Sequence, residues 1–375
     1  MHIARAELLE LTLPLLEPFV ISGGTLRQRR SLVVVLYDEE GRAGYGESPP
    51  NELPFYSEET LASATDLVRR VLLPRVVGRD FAAPEDVDAA LREGVRGNPF
   101  ARAGLETAAW DLEAARRNVG LAQLLAERLD VPAAASVSCG VALGIPADRQ
   151  PATLTRQVSD ALTLGYRRVK IKVAPGWDEA AVGAARQGMS GRDIPLTVDA
   201  NGAYEWPEDE RSLRALDAAG LLYIEQPLAP DELVGHARLA EALETPICLD
   251  ETLKSAAWAR QVIALGGPKI WNIKVHRVGG LTEVCAIYRA ATEYGAELWA
   301  GTMPESGLGS QAALAVAALP RCVYPSDLEP SARWFGRDVD VIKLTMSKDG
   351  RMAVPGQSIG RLLDRGRFSA CTRAL

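Results

Sequence analysis

Hydrophobic positions change their rhythm once along this chain. Between residues 4 and 46 they fall in short runs, Ala4 to Leu16, Ser31 to Tyr37 (SLVVVLY) and Ala43 to Gly46, the last two separated by Asp38-Glu-Glu-Gly-Arg42. Runs of this length joined by a Gly-containing turn predict strands in an antiparallel meander. The spacing then turns helical: Ser57-Glu-Glu-Thr60 opens a run that continues through Val71, and Asn98 to Val119 (NPFARAGLETAAWDLEAARRNV) is longer and rich in Ala. Apolar residues three and four apart behind a Ser/Thr start mark amphipathic helices. Strands first and helices after them, without alternation, describe an α+β unit over residues 1–130.

From residue 136 short apolar runs alternate with helical stretches: SVSCGVAL, RVKIKV, PLTVDA, LLYIEQPL, PICLDE, KIWNIKV and AELWAG. Measured between the residues that end these runs, the steps are Lys172 to Asp199 (27), to Glu225 (26), to Asp250 (25), to Lys274 (24) and to Gly301 (27). A period of about 25 residues without a shared side-chain motif is one βα unit, and seven or eight such units close a parallel barrel rather than a solenoid. The expected fold is therefore α/β, a (β/α)7-8 TIM-like barrel over residues 131–335 with an α+β N-terminal capping domain. The last unit, near Arg321 to Pro325, is weakly written. Val341 to Val354 (VIKLTMSKDGRMAV) predicts a further hairpin that returns to the N-terminal unit, so that about residues 336–375 join the cap.

Composition excludes several classes of function. With 47% hydrophobic and 24% charged residues, and Gly and Pro spread along the chain, disorder is ruled out. The net charge of −7, without a Lys/Arg-rich block, argues against nucleic acid as a partner. Five cysteines without a CxxC spacing fit reduced thiols. No apolar run reaches the length of a membrane span and the start lacks a signal-peptide pattern. The expectation is a cytoplasmic protein, a homo-oligomer, acting on a small molecule.

Barrels of this kind place their active sites at the C-terminal ends of the strands, and here those ends carry Lys170 and Lys172, Asp199, Glu225, Asp250 and Lys274. Burying an unpaired charge costs several kcal/mol, so such charges must compensate one another. Three carboxylates from successive strands offer oxygen ligands that suit Mg²⁺, with Mn²⁺ as a substitute. Lys170 and Lys172 stand two apart in a strand and face the same side. Side by side, two ammonium groups disfavour double protonation, which lowers one pKa and makes it a usable general base. Lys274 comes from the opposite side of the ring, so two bases would flank one carbon. His276, just beyond a strand end and without a visible partner carboxylate, is read as a solvated loop residue.

At these residues the chain resembles the enolase superfamily in its muconate-lactonizing subgroup. "VKIKV", "TVDANGAY", "YIEQPL", "CLDET", "NIKVHRVGG" and "GTMPESGLG" fall in that family's order and spacing, and the resemblance covers nearly the whole chain. It implies a Mg²⁺-dependent enzyme that enolises a carbon acid beside a carboxylate, a pairing of base and metal that is a known pattern of the superfamily. Asp199, Glu225 and Asp250 take the metal-ligand positions. Lys172 takes the base role with Lys170 beside it, Lys274 takes the opposite-face role, and Asn201 and Glu251 orient the ligands next to them.

"KIKVAPGWD", "ARAGLETAAWDL" and "NIKVHRVGGLTE" are most similar to o-succinylbenzoate synthases, lyases of menaquinone biosynthesis, and to N-succinylamino acid racemases, which are isomerases. Arg277, three residues after the second lysine, is the racemase-like feature, placed to lower the Lys274 pKa or else to pair with a carboxylate such as Glu283. Thr302 instead resembles muconate cycloisomerases, so a cycloisomerase or another N-acylamino acid or dipeptide epimerase stays open. A phosphate-binding barrel using Gly301 and Gly307-Leu-Gly309, or a barrel that binds without catalysis, would leave the carboxylates and lysines unexplained. Substrate contacts are expected from Arg277, Gly301, Met303 and Glu305, the last either there or in a solvated loop. The loops Phe19 to Leu26, with Gly23-Gly24 as a hinge, and Pro49 to Tyr56 are expected to close over the mouth. Phe19 and Ile21 serve either as cap core or as substrate contacts. Trp110 and Trp299 are read as packing residues.

Overall fold

The computed structural model describes residues 1–21, 24–336 and 339–375, the side chains of 19–21 and 24–26 excepted. Phe19, Ile21 and the Gly23-Gly24 hinge therefore have their side chains or their placement outside the described residues.

The cap is built on an antiparallel sheet of β1 (Arg5–Ile21), β2 (Gly24–Tyr37) and β3 (Ala43–Ser48). Its middle strand is apolar on both faces for a reason. Val33 and Val35 join Leu11, Leu13 and Tyr45 in the core shared with the barrel, whereas Leu32, Val34 and Leu36 face the cap helices and meet Leu61, Val68, Val87 and Leu105. Alternate residues thus enter different cores, and SLVVVLY reads as an unbroken run because neither face is solvated. The helix Pro99–Arg117 lies against β3 at very short range. A Cβ on Gly46 would stand 2.0 Å from the Gly104 carbonyl oxygen and one on Gly44 2.2 Å from that of Ala108, so both glycines are required by the contact. The helix Leu61–Leu67 begins at Thr60, whose hydroxyl and the Ser63 side chain cap each other's backbone amides.

Seven parallel strands follow in chain order: β4 (Val141–Leu143), β5 (Val169–Lys172), β6 (Leu196–Asp199), β7 (Ile224–Glu225), β8 (Ile247–Leu249), β9 (Ile270–Ile273) and β10 (Glu297–Ala300). The ring closes without a regular eighth strand. Cys322 bridges Leu298 of β10, and Ser326 bridges Cys139 just before β4. This segment is flanked and interrupted by Pro320, Pro325 and Pro330, which cannot donate to a ladder, so pairing is reduced to single bridges.

Residues 341–354 do not form the expected hairpin. A turn does reverse the chain, with the Gly350 amide donating to the Ser347 carbonyl at 2.9 Å, but only Arg351–Ala353 is a strand, and it pairs with Ser136–Ser138 at the barrel. The first arm is held elsewhere: the Ser331 amide donates to the Leu344 carbonyl at 3.1 Å and the Leu344 amide to the Ser331 hydroxyl at 2.8 Å. The return to the cap is made by β11 (Thr372–Ala374), which pairs with Leu9 to Leu11 of β1. No helix among the described residues is long and apolar enough to cross a membrane.

Candidate active site

A cavity of about 240 Å³ opens where the barrel strands end beneath the cap loop 49–56. Asp199 ends β6, Glu225 ends β7 and Asp250 follows β8, so register alone brings the three acids to one level. One carboxylate oxygen from each lies within 4.8 Å of the others, and all three residues are buried. Backbone and side-chain bonds hold them there. Gln226 Oε1 accepts from the amides of Asp250 (2.9 Å) and Thr252 (3.1 Å), and Asn272 Nδ2 donates to Glu225 Oε1 at 2.9 Å. Gly301 makes room for Asn272, whose Oδ1 would be 2.3 Å from a Cβ at that position.

The acids draw the lysines into pairs. Lys172 Nζ is 2.5 Å from Asp199 Oδ2 and 2.6 Å from Asn201 Oδ1, and Lys274 Nζ is 2.8 Å from Asp250 Oδ2. Asn201 in turn donates to Glu251 Oε1 at 2.8 Å. Lys172 sits on the second strand of the ring and Lys274 beyond the sixth, on opposite sides of the cavity they both line. Lys170 faces the same cavity, and Val169, Ile171 and Val173 are buried on the other side of the strand.

The expected effect of Lys170 on its neighbour is not what its surroundings produce. Lys170 Nζ lies 2.5 Å from Asp327 Oδ2, 3.0 Å from Glu225 Oε2 and 3.6 Å from Asp199 Oδ2. Burial alone would lower its pKa, but Asp327, Glu225 and Asp199 outweigh it and hold the ammonium charged, well above the usual lysine value. Lys170 is a fixed cation of the floor. Lys274 is likewise held up: burial and Arg277 pull its pKa down, and Asp250 more than offsets them.

Glu225 is pushed up to about 8, first by burial and then by Asp199. Asp250 goes the other way, since Arg277 and Lys274 overcome its burial and keep it well below the carboxylate range. A cluster of three hard oxygen donors in which one acid resists ionisation for want of positive charge fits a divalent cation.

Other positions fall differently from the sequence reading. Arg277 does not line the cavity; it donates to Asp250 Oδ1, and at 2.7 Å to the Asn272 carbonyl, from behind the site. Glu283 pairs instead with Arg92 at 2.7 Å. His276 is buried, not solvated, because the four-residue helix Val275–Val278 turns it inward against the cap. Burial and then Arg29 lower its pKa to about 3, so it is neutral. Met303 lines the cavity, whereas Glu305 is buried beside it and accepts from the Met303 amide at 2.5 Å. Trp110 and Trp299 are fully buried, Trp299 stacked on Tyr223.

Sequence reasoning missed Asp327, Asn272, Gln226, Tyr56 and Glu329 as parts of this site, and with them Arg168, which is fully buried and paired with Asp327. Asp327 and Glu329 lie just past the irregular eighth strand, where no period marked a strand end. Glu329 lines the cavity, one oxygen taken by the Ala142 amide at 3.0 Å. Tyr56 reaches in from the cap, its hydroxyl 3.1 Å from Lys274 Nζ, and burial followed by Asp250 raises it to about 12.

Fold and site together define an enzyme of the capped-barrel class, with two lysines lining one cavity beside a candidate metal centre. The chain belongs to the mandelate racemase/muconate lactonizing enzyme family of the enolase superfamily: residues 5–126 match the family described as "Mandelate racemase / muconate lactonizing enzyme, N-terminal domain" and residues 153–360 that described as "Enolase C-terminal domain-like". It is 42% identical over 366 residues to the N-succinylamino acid racemase of Thermus thermophilus, covering 96% of this chain and 94% of the relative. Against the o-succinylbenzoate synthase of Geobacillus stearothermophilus the figures are 37% over 366 residues, 97% and 94%. The structure of an enolase-superfamily member from Listeria innocua superposes with a TM-score of 0.91 at 34% identity, covering 100% of this chain and 98% of that one.

Proposed function

We propose that this chain enolises a small-molecule carboxylate with a divalent cation, Mg²⁺ or Mn²⁺, and that it works as an o-succinylbenzoate synthase, an N-succinylamino acid racemase, or both. The observation that carries this reading is the placement of Lys172 and Lys274 on opposite sides of one cavity beside the cluster of Asp199, Glu225 and Asp250, of which Asp199 lines it. Relatives bearing those two names at 37% and 42% identity support it.

Asp199, Glu225 and Asp250 would hold the cation, which supplies the Lewis acidity that stabilises negative charge on the substrate carboxylate when the α-proton leaves. Lys172 and Lys274 are paired with two of these same acids, so ligand carboxylates and lysine ammonium groups compete for one set of partners. Lys172 takes the α-proton from one face. In dehydration it returns that proton to the departing hydroxyl while Lys274 remains an ammonium ion opposite; in racemisation Lys274 delivers a proton to the other face. Lys170, fixed among Asp327, Glu225 and Asp199, keeps the floor from carrying excess negative charge. Asn201 and Glu251 hold Lys172 in line through one chain of hydrogen bonds.

The test is α-proton exchange of N-succinylamino acids in D2O, beside conversion of the succinyl-hydroxycyclohexadiene carboxylate, with Mg²⁺- and Mn²⁺-loaded protein. Exchange or dehydration by wild type is expected. Absence of both from folded, metal-loaded protein would overturn the reading.

A further inference from the structure

We propose that a second cleft, on the outer side of Tyr56, is an anion-binding subsite anchored by the Arg102 guanidinium and shaped for a carboxylate carried by a small molecule. This cleft of about 810 Å³ runs between the cap and the barrel loops, and it shares Phe55, Tyr56, Pro230 and Glu251 with the catalytic cavity. The two are separated by one layer of side chains.

The cations in its wall are not equivalent. Arg92 is bound to Asp88 (2.6 Å) and Glu283 (2.7 Å), Lys254 to Asp231 (2.6 Å), and Arg277 to Asp250. Arg102 has no carboxylate within ion-pair distance among the described residues. It is only 6% exposed; its Nη1 donates to the Gly97 carbonyl at 2.7 Å, its Nε is shut off from solvent without a partner, and its Nη2 makes no hydrogen bond among the described residues. The acids that act on it, Asp88, Glu283 and Glu59, are already engaged: Asp88 and Glu283 by Arg92, and Glu59 by the amides of Phe100 and Ala101, both at 2.8 Å. Burial, then the neighbouring Arg92, pull its pKa below the ordinary arginine value, which is the mark of a cation short of counter-charge. A buried guanidinium with donors left over and an open cleft before it is satisfied by an anion entering from that cleft, and its planar fork matches a carboxylate.

The carboxylate has two sources. It is either a free small acid, or the distal carboxylate of a substrate whose reacting end lies in the catalytic cavity, which rests on the function proposed above. Crystals of the full Mg²⁺-loaded chain soaked in bromide should show anomalous density beside Arg102, displaced by succinate; no density there would overturn the proposal without any variant being needed. In calorimetric titration with succinate, Arg102→Met should weaken binding by about tenfold or more, the size of a lost charge-assisted hydrogen bond, and Arg102→Lys should restore part of it. Equal titrations for wild type and Arg102→Met would also overturn it. A KM that rises in Arg102→Met for N-succinyl but not for N-acetyl substrates identifies the substrate's own distal carboxylate; unchanged KM for both, with succinate binding lost, identifies a free acid. Bromide density at Arg102 in a wild-type enzyme that shows neither α-proton exchange nor dehydration supports the subsite and overturns the function instead.

Discussion

The barrel and the cap bring side chains to the same cavity by different means. The lysines and metal-ligand acids of the barrel floor stand at or just beyond the ends of parallel strands, and each touches an opposite charge: Lys170 with Asp327 and Glu225, Lys172 with Asp199, Lys274 and Arg277 with Asp250. Among the described residues the cap reaches in through one irregular segment, 49–56, hung on a few hydrogen bonds. Arg29 of β2 holds it by donating to Asn51 Oδ1 at 3.3 Å and to the Pro49 carbonyl, and Glu59 ties its far end to the helix Pro99–Arg117. Chemistry is fixed by ladder geometry that no single side chain sets, while the lid depends on individual polar contacts. Changes in the floor should therefore act on the chemical step, and changes in the cap on substrate binding.

The largest effects belong to the floor. Lys172→Ala should slow α-proton exchange by roughly 10² to 10⁴-fold, the range of a lost general base, with KM little changed. Chelation should remove both activities and Mg²⁺ should restore them, with a Tm that rises with metal concentration. A Lys172→Ala variant that keeps wild-type exchange of one enantiomer would transfer that face to Lys274.

Breaking a buried pair should be nearly as costly. Asp250→Asn leaves Lys274 and Arg277 without their shared acid, and a loss of about 3 to 5 kcal/mol in denaturant unfolding is expected along with metal binding. A loss under about 1 kcal/mol would show that the floor is less tightly coupled than its geometry implies.

The cap should respond in KM. Arg29→Met frees Asn51 and Pro49, and KM should rise by about tenfold with kcat close to wild type, since the loss is of binding common to ground and transition states. An equal fall in kcat would place the 49–56 segment in the chemistry and dissolve the contrast.

The smallest effect is a pH dependence at the seam. Burial, against the Met303 amide bond, raises the Glu305 carboxyl from 4.5 to about 7. A raised acid contributes its stability fully below the unfolded value of 4.5, and that contribution is lost as pH climbs through about 7. Glu305→Gln keeps the amide acceptor and cannot ionise, so its unfolding free energy should fall less between pH 5 and 8 than that of wild type, by about 1 to 3 kcal/mol. Parallel pH profiles for the two proteins would mean that another group near the seam accepts the charge.

How much of this was legible in the chain follows from the same contrast. The barrel repeats, the helix Pro99–Arg117 and the acids of β6 to β8 could be read because strand and helix periods are local, and a charge at the end of an apolar run marks a strand end whatever packs around it. The sense of the lysine pKa shifts could not. Lys170 beside Lys172 suggests mutual repulsion along the strand, but the partners that decide its charge, Asp327 and Glu225, come from other strands. His276 looked like a loop residue because its burial depends on the cap folding over it, and Arg277 looked like a substrate contact because its bond to Asp250 crosses from one βα unit to another. The sequence by itself determined the order of elements and which residue types stand at strand ends, since both rest on neighbours in the chain. Only the tertiary structure decided which charges meet and which remain unpaired, because Coulomb energy and desolvation depend on distances in space that residue spacing does not contain.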